Sequence, residues 1–222
     1  MNQVREVAGF FPSRGSFSCD YLLAMRAAIF NGMALVLTAV LWQEGLLDPL
    51  IATDRTFLVR IIVLVFLLGN VWCVQRLVAT SRELNALKSG IRSSTKTGEF
   101  LALIEGRDAA VRANLAAVLR VKLFSRIAPI RHIAGSLVVL GLIGTVLGFV
   151  IALGGVDPEA ASDVSAVGPM ISTLIDGMSV ALHTTLVGSV LNVWLMVNYR
   201  LLESGTIRLL TQAVEMGERH AG

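Results

Sequence analysis

The chain has 222 residues, 55% hydrophobic and 16% charged, with 19 Lys or Arg, 16 Asp or Glu and a formal charge of +3. Its apolar residues stand in four uninterrupted blocks of roughly 17 to 24, and at about 1.5 Å rise per residue each matches a hydrocarbon core of about 30 Å. Such blocks exclude a soluble globular domain, and bases that do not interleave with aromatics argue against a nucleic-acid-binding one.

Residues 1–20 are polar, include Pro12 and Asp20, and lack an apolar core followed by a cleavage site, so no removable signal peptide is expected. The first predicted span covers residues 27–43 and extends back to Tyr21 if Arg26 snorkels. The second covers residues 57–75, with Arg60 near one end and able to snorkel as well. Residues 76–131 then hold 11 Lys or Arg against 4 acids. Here the pattern predicts a helix over residues 81–92, a hydroxyl-rich break over 93–98, and a second helix over 99–124. Phe100, Ile104, Val111, Leu115, Val118 and Leu123 share one side of that second helix. An amphipathic helix packed on its neighbours accounts for them, with a partner-docking face as the alternative. Pro129 is expected in a first helical turn, where its missing N–H costs nothing.

The third span covers residues 133–156 and the fourth residues 177–199, and neither contains a charged residue. The mostly apolar residues 164–175 lengthen the fourth, and residues from 204 onward read as a frayed or short amphipathic helix. Arg55 is outnumbered by Glu44, Asp48 and Asp54 in the first loop, and residues 156–168 hold three acids and no base. By the positive-inside rule both short loops are external, and both termini and residues 76–132 are cytoplasmic. Cys19 and Cys73 then fall on or near the cytoplasmic side, so neither a disulfide nor a metal site is expected. Trp42, Trp72, Trp194 and Tyr199 read as interfacial aromatics.

The expected fold is thus an all-α membrane protein with four transmembrane helices and a short helical cytoplasmic segment between the second and third. Its divisions are 1–26 (N-terminal segment), 27–75 (first hairpin), 76–132 (helical segment), 133–199 (second hairpin) and 200–222 (tail).

The last two spans carry the chemistry. Gly141, Gly144, Thr145, Gly148, Ala152 and Gly155 recur at spacings of three and four and form one stripe. Small residues let helix backbones approach closely, and lipid-facing surface gains nothing from them. Gly177, Ala181, Thr184, Thr185, Gly188 and Asn192 repeat the design with more polarity. A threonine in a helix can satisfy its hydroxyl on the carbonyl one turn earlier, but several on two glycine-lined helices point to a lined ion path. His183, near Ser179, has two readings: a proton relay or a hydrogen bond to a neighbouring helix. Asp176 either collects cations at a mouth or sits among headgroups near a helix N-terminus. No span has a carboxylate near its centre, so a partner would have to supply one for ion-driven work.

The segment LGLIGTVLGF, residues 140–149, resembles the glycine-threonine signature of the MotA, TolQ and ExbB proton-channel family. ALHTTLVG, residues 181–188, resembles the threonine-bearing final helix of that family. The resemblance covers residues 129–200 and matches in helix order. It implies a homopentameric ring around a dimer of a single-span MotB, ExbD or TolR-like partner carrying a membrane aspartate, in a bacterial inner membrane. It also implies a proton- or sodium-driven rotary motor rather than an enzyme, with no cofactor beyond the transported H+ or Na+. By position, Thr145 and Thr185 are the expected path-lining hydroxyls, with Thr184 a third candidate beside His183. Four spans, and Val180 where ExbB and TolQ carry a membrane glutamate, resemble the flagellar stator branch. The cytoplasmic segment is far shorter than in that branch, and Val138 stands where the family usually has proline. The competing readings are a non-conducting scaffold ring and a small-molecule transporter, and the latter lacks the inverted repeats and broken helices such folds show.

Overall fold

The computed structural model describes residues 21–45, 57–88, 96–104, 106–156 and 164–221. Five α-helices account for nearly all of them: α1 (Tyr21–Gln43), α2 (Leu58–Lys88), α3 (Lys96–Ile104), α4 (Ala109–Gly154) and α5 (Val164–Ala221). All but α3 are long and apolar enough to cross a membrane, making the chain a multi-pass membrane protein. The first twenty residues, Cys19 and most of both short loops lie outside the described residues.

The 46 residues of α4 and 58 of α5 extend about 70 and 85 Å at 1.5 Å per residue, so each projects far beyond an apolar core of about 30 Å. The two form an antiparallel pair, with α1 and α2 packed against its middle, around residues 127–137 of α4 and 187–202 of α5, and α3 at the basic end. The membrane half gathers Ile62, Phe66, Ile130, Ala134, Leu137 and Leu195 into one core. The basic half gathers Leu84, Leu87, Phe100, Ile104, Leu123 and Leu209 into another. The two halves are held by different physics. Burial from water stabilises the basic half, where deleting one such leucine side chain costs about 2–5 kcal/mol. In lipid that gain is missing, and close packing and interhelical hydrogen bonds take its place.

Helix ends are where the structure departs from the pattern. Pro129 sits inside α4 and not in a first turn. Its ring removes one backbone hydrogen bond, but Ile127 and Ile130 beside it are 3% and 0% exposed, and their packing carries the helix through. The helix expected over residues 81–92 is the continuation of α2 to Lys88. The helix expected over 99–124 is broken instead: α3 stops at Ile104, and Gly106 turns the chain at φ +73°, a conformation few other residues adopt. After that break the apolar phase slips, leaving Val111 and Val118 exposed while Leu119 and Leu123 are buried. The tail is neither short nor frayed. It runs as α5 to Ala221, with Leu209 and Ala213 in the basic-half core. At its end Arg112 Nε and Nη2 donate to the two oxygens of Glu218, at 3.3 and 3.0 Å. Helix ends do not mark the divisions at 132 and 199, since α4 and α5 run through both.

Within the membrane half, an amide cluster fastens α1 and α2 to α5. Asn198, 1% exposed, donates through Nδ2 to Asn31 Oδ1 and Asn70 Oδ1, both at 3.0 Å. Its own Oδ1 accepts from Asn31 Nδ2 at 2.8 Å. Trp194 Nε1 donates to Asn31 Oδ1 at 2.9 Å, and its ring lies 5.1 Å from that of Phe66. Trp194 therefore belongs to the bundle interior and not to an interfacial belt. Tyr199 is likewise buried, whereas Trp42 and Trp72 are exposed.

Asn198→Leu leaves two amides in a low-dielectric interior without their shared partner, at a cost of about 1–3 kcal/mol. Arg112→Ala removes an ion pair whose glutamate is 57% exposed, worth about 1 kcal/mol or less. Unfolding the protein in mixed micelles by detergent titration should therefore show a larger midpoint loss for Asn198→Leu than for Arg112→Ala.

Candidate functional site

The seam between α4 and α5 is built from residues with almost no side chain. A Cβ placed on Gly148 would lie 2.6 Å from the Ala181 nitrogen and the Gly177 carbonyl oxygen. One on Gly177 would lie 2.5 Å from the Gly148 oxygen and the Ala152 nitrogen. One on Gly188 would meet the Leu137 carbonyl at 2.6 Å, and one on Gly141 would meet Thr184 and Thr185 backbone atoms at 3.2 Å. Here backbone touches backbone, the closest approach two helices can make. Gly144 differs, because the space its side chain would occupy is filled by the Thr184 side chain.

That seam assigns directions to the polar residues around it. Thr184, 1% exposed, points into the seam, and its hydroxyl donates to its own helix at the Val180 and Ala181 carbonyls, 2.9 and 3.1 Å away. It packs between the helices and reaches no open surface. Its neighbours in sequence each turn about 100° away, to opposite flanks. On one flank His183 is half-buried, with Nδ1 3.3 Å from the Ser179 hydroxyl. On the other, Thr185 is exposed and donates across the seam to the Gly141 carbonyl at 3.1 Å. The same carbonyl is the helical acceptor for the Thr145 N–H. Thr145 therefore stands beside Thr185, half-buried, with its own hydroxyl donating to Leu142.

Thr145 and Thr185 thus share one flank, with Thr184 between the helices and His183 on the opposite side. Both flank hydroxyls spend their hydrogen on a carbonyl, so each oxygen keeps lone pairs directed outward. That arrangement suits a surface that accepts hydrogen bonds from water or hydronium, or offers oxygen ligands to a small cation. Ser189, one turn beyond Thr185 and exposed, donates to the Thr185 carbonyl and adds a third hydroxyl to this flank. Its spacing of four from Thr185 was a signal in the sequence, overshadowed by the adjacent threonines. Asn192 is half-buried, and the amide that organises the bundle is Asn198. Asp176 lies one residue before the seam begins at Gly177. Among the described residues no group of three or more His, Cys, Asp or Glu is arranged to hold a metal.

Residues 101–215, slightly more than half of the chain, match the profile of the MotA/TolQ/ExbB proton channel family. No curated protein and no solved structure gives a significant match. The matched region contains all of α4 and α5 nearly to its end, and so the whole seam and both hydroxyl-bearing flanks.

Gly148→Ala and Gly177→Ala each force two backbones apart, and overpacking of this kind costs about 1–3 kcal/mol. Gly32, on α1, has nothing within 4 Å of an added Cβ, so Gly32→Ala should be neutral or stabilise by about 0.5–1 kcal/mol through helix propensity. Thermal midpoints of the three variants in one detergent check the ordering.

Proposed function

The chain belongs to the MotA/TolQ/ExbB proton channel family, and on that premise we propose that it is the ion-conducting subunit of a motor that converts ion motive force into mechanical work. The observation carrying this reading is the Thr145–Thr185 pair: two hydroxyls from different helices flank the Gly141 carbonyl with their oxygens outward, midway along a charge-free hairpin. Each charge crossing releases about 2.3 kcal/mol per 100 mV of potential. Using it requires a path where the ion is never stripped of oxygen partners, and the flank supplies one wall of such a path. Spans 133–156 and 177–199 carry no carboxylate, so the group that takes up and releases the ion comes from a second protein.

In this reading the working unit is a homopentamer of the chain around a dimer of a single-span partner whose helix bears an aspartate. The ring sits in a bacterial inner membrane with the basic half and both termini in the cytoplasm. H+ or Na+ moves between the partner aspartate and the Thr145–Thr185 flank. Thr184 serves the seam, and His183 lies outside the path that Thr145 and Thr185 line.

Two measurements test this. Native mass spectrometry of the chain co-expressed with the product of its neighbouring gene should give five copies with two of a single-span, aspartate-bearing protein; a monomer or a partnerless dimer would refute the motor. In proteoliposomes of the assembled complex, Thr145→Ala and Thr185→Ala should each lower coupled ion flux with assembly intact, whereas Thr145→Ser retains it. Full flux in both alanine variants would reduce the ring to a scaffold held by its glycines.

A further inference from the structure

Toward the basic end of the α4–α5 pair the chain opens a groove of about 640 Å³, lined by Arg131 from α4 and by Met196, Tyr199, Arg200, Ser204 and Arg208 from α5. Arg131, Arg200 and Arg208 are all exposed. The one acid in the lining, Glu203, accepts a hydrogen bond from the Tyr199 hydroxyl at 3.4 Å. Three guanidinium groups against one carboxylate leave the groove with two positive charges. Guanidinium forks match phosphate oxygens in geometry as well as charge.

Position narrows the anion. The charge-free stretch of α5 ends at Tyr199, so Arg200 meets the level where the apolar core gives way to headgroups. Above it, Met196 lines the groove, and Val193, on nearly the same face, is 60% exposed. Below it stand Ser204 and Arg208. Apolar surface thus runs into a cluster of guanidinium groups in the direction in which an acyl chain runs into a phosphate. A soluble anion has no use for the upper part, and an acidic peptide would meet apolar side chains there.

We propose that this groove binds an anionic phospholipid of the adjoining leaflet, with the headgroup phosphate between Arg131 and Arg200, the headgroup substituent toward Ser204 and Arg208, and one acyl chain along Met196 and Val193. The site stands apart from the Thr145–Thr185 flank along the helix pair, and lipid binding there is measured without ion conduction. Helical periodicity places it on the same side of α4 and α5 as those threonines. A bound phosphate there offsets the arginines standing at the basic end of the hydroxyl-bearing surface.

The full-length protein in detergent, titrated with phosphatidylglycerol and separately with phosphatidylcholine, is read by native mass spectrometry. Phosphatidylglycerol should bind in preference. Each arginine removed should weaken it about fivefold: Arg208→Gln about fivefold, and the Arg131→Gln/Arg200→Gln pair about twenty-five-fold, with phosphatidylcholine unchanged. Arg120→Gln removes an exposed arginine elsewhere on α4 and should leave binding at the wild-type value. All three side chains in the groove are solvent-exposed, so the variants should keep the wild-type helix content by circular dichroism. The proposal is overturned if Arg120→Gln weakens binding as much as Arg208→Gln, or if the groove variants bind like wild type. It is overturned too if soluble glycerol phosphate displaces the lipid at equal concentration, since the site would then hold a free phosphate.

Discussion

The contact of backbone with backbone between α4 and α5 is the constraint from which the rest of the site follows. In lipid, apolar side chains on two helices gain little by meeting each other, since lipid tails serve them equally well. What holds such helices together is the number of atoms brought to van der Waals distance, and that number rises when side chains are absent. Gly141, Gly148, Gly177 and Gly188 provide this. The close approach has a chemical consequence as well. Because a Cβ on Gly141 would crowd the backbone at Thr184 and Thr185, a glycine there is what lets the Thr185 hydroxyl reach the Gly141 carbonyl from the other helix. The packing surface and the polar surface are therefore two readings of the same few residues.

The outer helices are attached differently. Apart from packing, α1 and α2 are tied to α5 by a cluster of three asparagines and a tryptophan whose donors and acceptors answer one another. A polar group in hydrocarbon is costly unless partnered, so the cluster fixes register: sliding α1 along α5 by one turn would separate Asn31 from Asn198. At the basic end, where water returns, the same α4 and α5 rejoin α2 and add α3 through leucines and a phenylalanine. One pair of helices is thus clamped by hydrogen bonds at one level and by hydrophobic burial at another, and both clamps stand on the basic side of the glycine seam.

The four spans were legible in the sequence because span length is set by the bilayer and needs no knowledge of tertiary contacts. The glycine and threonine stripes were legible for a similar reason, since helical periodicity alone puts them on faces. What was not legible depended on neighbours. Pro129 conventionally marks a helix start, and only the burial of Ile127 and Ile130 against other helices lets α4 continue through it. Gly106 inside an amphipathic pattern is compatible with a continuous helix, and the turn it makes is visible only in its φ of +73°. The asparagines at 31, 70 and 198 stood in plain view inside or at the edge of apolar runs, but nothing in one dimension says that three amides from three helices meet. His183, Thr184 and Thr185 read as one polar cluster in sequence. In a helix, three consecutive residues span about 200°, and the seam divides them into one flank, the interior and the other flank.

That division bears on how much of an ion path one chain can provide. Thr145, Thr185 and Ser189 present oxygens on a single surface. A cation resting on such a surface in a membrane would have protein on one side and hydrocarbon on the other, and the cost of leaving it half-solvated in low dielectric is several kcal/mol. Hydroxyl and carbonyl dipoles on one wall do not offset that cost, and no carboxylate in either span stands by to do so. The hydroxyl surface becomes a path only when a second polar wall closes over it, and a negative charge on that wall is what would make the passage of a cation favourable. On the proposed function the chain supplies one wall of a channel, and the chemistry it lacks defines what a complement would bring.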